Sequence, residues 1–220
     1  MTRLFVFFAL SLAALGLSGC AKTYVYRQKV TVEVDTPDGV KSGVAVHEVT
    51  WGVSTTGITA IGDTASYSVK GEAVAVDLGK GRYLFMLLTR PDELARYAFD
   101  DTKESTGTII VQDHIASLKP GTSAILKREY YPPLVTFGDL NDPKTVQEVD
   151  PDNLAAAFGP GYALKNIEIE MTDEKVTSNL EKVLGWVRTL RGSIGKDMHL
   201  PYSDLLNKLN DGSFIQGEKR

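Results

Sequence analysis

The chain has 220 residues, 24 Lys and Arg against 28 Asp and Glu, and an isoelectric point near 5.5. A mildly acidic chain without a basic patch lacks the electrostatic footprint of a nucleic-acid binder. A single cysteine excludes an intrachain disulfide and a cysteine-based metal site.

The N-terminus reads MTRLFVFFALSLAALGLSGC. Arg3 is a short positive region, Leu4 to Leu17 is apolar apart from Ser11 and Gly16, and the small residues Ser18 and Gly19 follow. Charge, apolar core and small-residue cleavage site form the layout of a secretory signal. The apolar run is shorter than the roughly 20 residues that span a bilayer, and no spanning segment is expected after residue 20. Leu17-Ser18-Gly19-Cys20 resembles the lipobox of bacterial lipoproteins. The resemblance implies cleavage between Gly19 and Cys20 and a diacylglycerol on the Cys20 sulfur. Two or three acyl chains hold a protein firmly where one holds it marginally. Ala21 follows, where an aspartate commonly retains such proteins in the inner membrane, so the resemblance implies the periplasmic face of the outer membrane. The expected organisation is a signal over 1–19 and one domain over 20–220, with a short tether at its start.

The body opens with YVYRQKVTVEVD (24–35), which alternates Tyr24, Tyr26, Val30, Val32 and Val34 against polar residues. TPDG (36–39) is turn chemistry, and GVAVHEVTWGV (43–53) alternates again, so a β-hairpin or meander is expected. Residues 54–70 are rich in Gly, Ser and Thr and read as a loop or weak strand. GEAVAVDLG (71–79) and YLFMLLT (83–89) read as strands, the second fully buried. PDELARYAF (91–99) suits a helix with Pro and acids in its first turn. TIIVQ (108–112) reads as a strand, as do stretches near 123–130 and 133–138, interrupted by Pro132 and Pro133.

Asp150 to Phe158 reads as a short helix capped by Asp150 and stopped by Gly159. ALKNIEIEMT (163–172) alternates with Ile167, Ile169 and Met171 inward. Ser178 and Glu181 have capping-box spacing, and Leu180, Val183, Leu184, Val187 and Leu190 follow helical spacing up to Gly192. YSDLLNKLNDG (202–212) gives a further helix capped by Ser203, and the tail QGEKR reads as loose. The sum is an α+β domain, predominantly antiparallel β, with short helices gathered in the C-terminal third.

Catalytic motifs are absent from this reading. His47 shares a strand face with Val49 and Trp51 and reads as a core residue. Asp113 and His114 are adjacent, and neighbours on a strand face opposite ways. No G-x-S-x-G elbow occurs, and no H-E-x-x-H. DLNDPKTVQEVD (139–150) fails as a calcium loop: Pro143 and Lys144 stand at positions five and six, and Asp150 stands where the bidentate Glu belongs. Asp139, Asn141 and Asp142 read as a polar turn bonding its own backbone. Gly79-Lys80-Gly81 and Gly159-Pro160-Gly161 read as tight turns, since both lack a third glycine at phosphate-loop spacing. Tyr130-Tyr131 beside Pro132-Pro133 could form a rigid peptide- or glycan-contacting ledge; more often such residues are a strand end packed on the core. Asp139, Asn141, Asp142 and Tyr131 are the surface candidates; no catalytic residue, metal ligand or cofactor is assigned.

YPPLVTFGDLNDPKTVQEVDPDNLAAAFGPGYALKNIEIEMTDE (131–174), with GEAVAVDLG upstream, resembles a family of uncharacterised proteobacterial envelope proteins with YP-x-x-VTF-x-D-x-NDP and DPD-x-LAA-x-FGPG segments. It implies a Gram-negative source and transfers no activity. The functional expectation is a lipid-anchored periplasmic binding module, with the membrane as partner through Cys20 and an envelope protein as a possible second partner. An envelope hydrolase using the polar residues near 139–150, or a purely structural lipoprotein, are the alternatives.

Overall fold

The computed structural model describes residues 20–55, 63–99, 108–196, 198–199, 201 and 203–217. The signal expected over 1–19, the polar stretch 100–107 and the end of the tail lie outside the described residues. Strand β1 (Cys20–Thr36) and strand β2 (Gly39–Thr55) form a 17-by-17-residue antiparallel hairpin, in unbroken register from Cys20↔Thr55 to Thr36↔Gly39. β1 starts at Cys20 itself. Alternation decides the faces: Tyr24, Tyr26, Gln28, Val30, Val32 and Val34 are buried on one side. The other side carries exposed Val25 and Val44 and a ladder of cross-strand ion pairs, Lys70–Glu48–Arg27, Lys29–Glu170 and Lys165–Glu33. Pairs on an open face contribute little to stability, but like charges would oppose each other in a slipped register.

Four further strands complete a six-stranded antiparallel sheet in the order β10-β3-β2-β1-β9-β6. They are β3 (Asp63–Glu72), β6 (Ser123–Ile125), β9 (Ala163–Met171) and β10 (Ile215–Gln216). A second antiparallel sheet has the order β4-β5-β7-β8, from β4 (Val74–Gly79), β5 (Arg82–Met86), β7 (Leu134–Phe137) and β8 (Val146–Val149). The sheets face each other across a core of Val30, Val32, Val34, Ala45, Ile167 and Ile169 against Val74, Val76, Leu84, Met86 and Leu134. The approach is closest at Gly43, where a Cβ would lie 2.3 Å from the Ala75 carbonyl oxygen.

Two satellite cores flank this sandwich. The hairpin half that carries Tyr24, Tyr26, Val49, Trp51 and Val53 extends beyond the second sheet. It is covered by helix α1 (Leu94–Phe99) and helix α2 (Thr108–Ser117), through Ala95, Val111 and Ile115. The outer face of the second sheet, Phe85, Leu87, Val135 and Phe137, is covered by the C-terminal segment through Leu180, Leu184, Val187, Leu209 and Phe214. Helix α3 (Leu154–Phe158) and helix α4 (Leu205–Lys208) are a turn each.

The β-rich α+β reading holds, but the two longest helices lie mid-chain, not in the C-terminal third. Residues 108–112 open α2 and are not a strand. The five-residue window hid that Val111 and Ile115 stand one helical turn apart, both buried. The loop or weak strand expected over 54–70 is, over 63–70, the strand β3, in which Ala65, Tyr67 and Val69, paired with Val53, Trp51 and Val49, alternate with Ser66, Ser68 and Lys70. The strand expected over 123–130 ends at Ile125 and gives way to a 3₁₀ turn at Arg128–Tyr130.

The helix expected after Ser178 does not form. A 3₁₀ turn at Leu180–Lys182 runs into successive turns. The apolar spacing still turns Leu180, Leu184 and Val187 onto the core. The backbone is held from outside instead: the Glu72 carboxylate accepts from the N–H groups of Asn179 (2.9 Å) and Leu180 (2.8 Å). The Trp186 indole donates to the Leu140 carbonyl (2.9 Å). Asp150 accepts from the Asp152 N–H and forms a turn ahead of α3, and Asp204, not Ser203, caps α4 by accepting from the Leu206 N–H.

Candidate functional site

A cleft of about 890 Å³ lies at the β3 edge of the six-stranded sheet. One wall is β3 itself, Tyr67 to Val69; the other is the C-terminal segment, including Val187, Leu190, Arg191 and Asn210 to Gly212. β10 pairs only with Glu72 and Gly71. Among the described residues, β3 therefore has no strand on its outer side over Asp63–Lys70. Gly217 closes the inner end of the cleft. Its φ is +73°, and a Cβ there would lie 2.4 Å from the Val69 carbonyl oxygen, so only glycine lets the chain pass so near β3.

The opposite wall is rigid because its parts are tied to each other and to the second sheet. Phe214 is fully buried and meets Trp186 edge-on at 5.4 Å. The Ala73 and Leu88 N–H groups donate to the Phe214 and Ser213 carbonyls, both at 2.8 Å. The Ile194 and Gly195 N–H groups donate to the Leu209 and Leu206 carbonyls, both at 2.9 Å. Val69 and Val187 form an apolar floor. Tyr67, 56% exposed, leans its ring on Trp51 at 5.3 Å. Arg188 and Arg191 stand at the rim; Arg188 pairs with Glu181, and Arg191 donates to the Arg188 and Leu190 carbonyls. An unpaired strand edge beside an apolar floor can accept an extended peptide by strand addition.

A smaller depression of about 210 Å³ lies at the proline-flanked tyrosines. Tyr130 stacks on Tyr97 at 4.1 Å with rings parallel to 1°. Arg90, at φ +50°, donates to the Tyr97 hydroxyl. The Arg128 guanidinium lies over Tyr131 at 5.4 Å and forks onto Asp152 with two 2.7 Å bonds. That fork holds Asp152 below its ordinary range and raises Arg128. Tyr130 and Tyr131 are half-buried against the main core, so each has one side committed to packing.

The other sequence candidates do not converge. Asp139 accepts from the Asn141 N–H (2.9 Å) and Asp142 from the Lys144 N–H (3.0 Å), the backbone-bonding turn expected of them. His47 is fully buried and donates through Nε2 to the Glu72 carbonyl at 2.9 Å; burial pushes it down to about 4. Gln28, opposite His47 in the hairpin, donates to the Pro91 carbonyl at 2.6 Å. Tyr26 donates to the Asp92 carbonyl at 3.4 Å, and burial raises both Tyr26 and Asp92. This polar layer fastens the turn before α1 to the hairpin. His114 is exposed on α2, and its neighbour Asp113 bonds Lys22 and Tyr24. Lys22 lowers the Asp113 carboxyl and is itself raised by it. His199 is exposed elsewhere. Among the described residues no group of three or more His, Cys, Asp or Glu side chains could hold a metal ion, and no helix is long and apolar enough to cross a membrane.

The cleft was missed from sequence. Its β3 wall lies in the Ser- and Thr-rich stretch read as a loop or weak strand, and its other wall in a segment read as regular helix. The alternation Ala65, Tyr67, Val69 was the available signal. Comparison with protein-family models, with curated proteins and with solved structures returned no match.

Proposed function

We propose that the chain is a lipid-anchored binding module of the Gram-negative envelope. Cys20 tethers it to the periplasmic face of the outer membrane, and the β3 cleft takes up an extended segment of an envelope partner protein. The reading rests on one observation above the others: a strand edge unpaired among the described residues forms one wall of a cleft of about 890 Å³. Backbone groups of β3 would supply affinity, and the floor at Val69 and Val187 would select an apolar side chain on the bound segment. The segment's residues alternate, so every second side chain faces that floor. A hydrolase at 139–150 draws no support, because those side chains are engaged with their own backbone.

A photo-crosslinking amino acid placed at Ser68 tests the reading in cells, with one at Thr31 on the open sheet face as the comparison. The expected result is a defined adduct with one envelope protein from Ser68 alone, mapped to an extended segment of that partner and lost with Tyr67→Asp. Equal labelling from Ser68 and Thr31, or an adduct indifferent to Tyr67→Asp, contradicts it.

A further inference from the structure

The hairpin begins at the residue proposed to carry the lipid, and this fixes more than attachment. β1 is in ladder register from Cys20↔Thr55 onward, through Ala21↔Ser54 and Lys22↔Val53. Each tether residue would add up to about 3.6 Å of reach; here there are none. We infer that the mature body sits directly on the phospholipid headgroup layer, standing on the Cys20 end of the β1–β2 hairpin, with the first turn of α2 against the bilayer. The inference rests on the lipid-anchor reading and deepens it by naming a second contact surface and its partner, the headgroup layer.

Two observations place α2 at that end. The Tyr24 hydroxyl lies 3.5 Å from the Ile109 carbonyl and donates to Asp113 at 3.1 Å, so the first turns of α2 lie beside the start of β1. Beyond the other end of α2, the Gly121 N–H donates to the carbonyl of Met171 at 2.7 Å, and Met171 stands opposite Gln28. The first two turns of α2 therefore lie over Lys22 and Tyr24 near the Cys20 end, and the chain beyond the helix lies toward Gln28. Ile110, on the first of those turns, is 63% exposed, more than any other large apolar side chain among the described residues. Among the described residues nothing covers it, and a bilayer held at Cys20 would. The opposite end of the hairpin, at Val40, is 50% exposed and stands about 50 Å away at strand rise. Tyr67 pairs with Trp51, four residues in from Thr55. The cleft then opens about 13 Å from the anchor, within reach of a partner segment lying close to the membrane.

The acylated chain has no other cysteine, so Ile110→Cys and Val40→Cys each accept one polarity-sensitive label. The full lipidated protein is reconstituted into vesicles of phosphatidylethanolamine and phosphatidylglycerol, and quenching by brominated lipid is measured. The label at Ile110 is expected to be quenched several-fold more than the label at Val40. A flexible Gly/Ser insert of about a dozen residues between Cys20 and Ala21 should remove the difference. Equal quenching at both sites on acylated protein overturns the seating and leaves the anchor intact. Absence of acyl mass on the Cys20 peptide overturns the anchor, and the seating with it.

Discussion

His47 shows how a single buried side chain makes stability depend on pH. Burial holds its imidazole neutral, at about 4 against 6.5 in an unfolded chain. Between these values the unfolded chain binds more protons than the folded one, so stability falls as pH drops from 6.5 toward 4. The shift corresponds to a loss on the order of 3 kcal/mol. Asp92 acts with the opposite sign: burial raises its carboxyl, so its contribution is present in acid and fades as pH rises through its folded value. Urea unfolding from pH 7 to 4 should show a falling midpoint for the wild type. His47→Leu should flatten that fall between pH 6.5 and 4. An unchanged slope in His47→Leu would contradict the assignment. The core position of His47 was legible, because it alternates with Val49 and Trp51. Its partner was not, since the Glu72 carbonyl lies 25 residues along the chain.

Elements report where local pattern sufficed and where distant contacts overrode it. The β1–β2 hairpin follows from alternation plus the Thr36-Pro37-Asp38-Gly39 turn, and both survive in the fold. The stretch after Ser178 has helical spacing and a capping-box pair, yet the Glu72 carboxylate holds its first N–H groups and the Trp186 indole reaches Leu140. The apolar spacing was legible; the groups that hold the segment were not, because the Glu72 carboxylate comes from β3 and the Leu140 carbonyl from the β7–β8 turn. Glu72→Ala should therefore loosen the C-terminal segment and leave two N–H groups without an acceptor. The expected cost is about 3 kcal/mol, with faster amide exchange confined to the segment after Asn179. Uniform exchange across both sheets would contradict this local role. Gly43→Ala tests the sandwich itself. Its new Cβ meets the Ala75 carbonyl oxygen, a backbone atom that cannot swing aside. A loss of about 1–3 kcal/mol is expected in chemical denaturation, and no loss would mean that the two sheets stand farther apart.

At the scale of the molecule, one hairpin organises everything else. Its inner face is shared between the sandwich core and the core under α1 and α2, and its outer face carries the cross-strand ion pairs. The C-terminal segment caps the second sheet and makes the far wall of the cleft. Composition and alternation foretold the β-rich body. They did not foretell the cleft, which arises from two segments more than 100 residues apart in sequence, Tyr67–Val69 and Val187–Gly217. The account places this body at a membrane through one sulfur atom. Intact-mass analysis of the N-terminal peptide of the protein purified from native membranes tests that placement most directly. The account predicts a chain that begins at Cys20 and bears a diacylglycerol on its sulfur, with Cys20→Ser retaining its first 19 residues and bearing no lipid. A mature chain with an unmodified Cys20, or a Cys20→Ser variant processed as the wild type is, would contradict it.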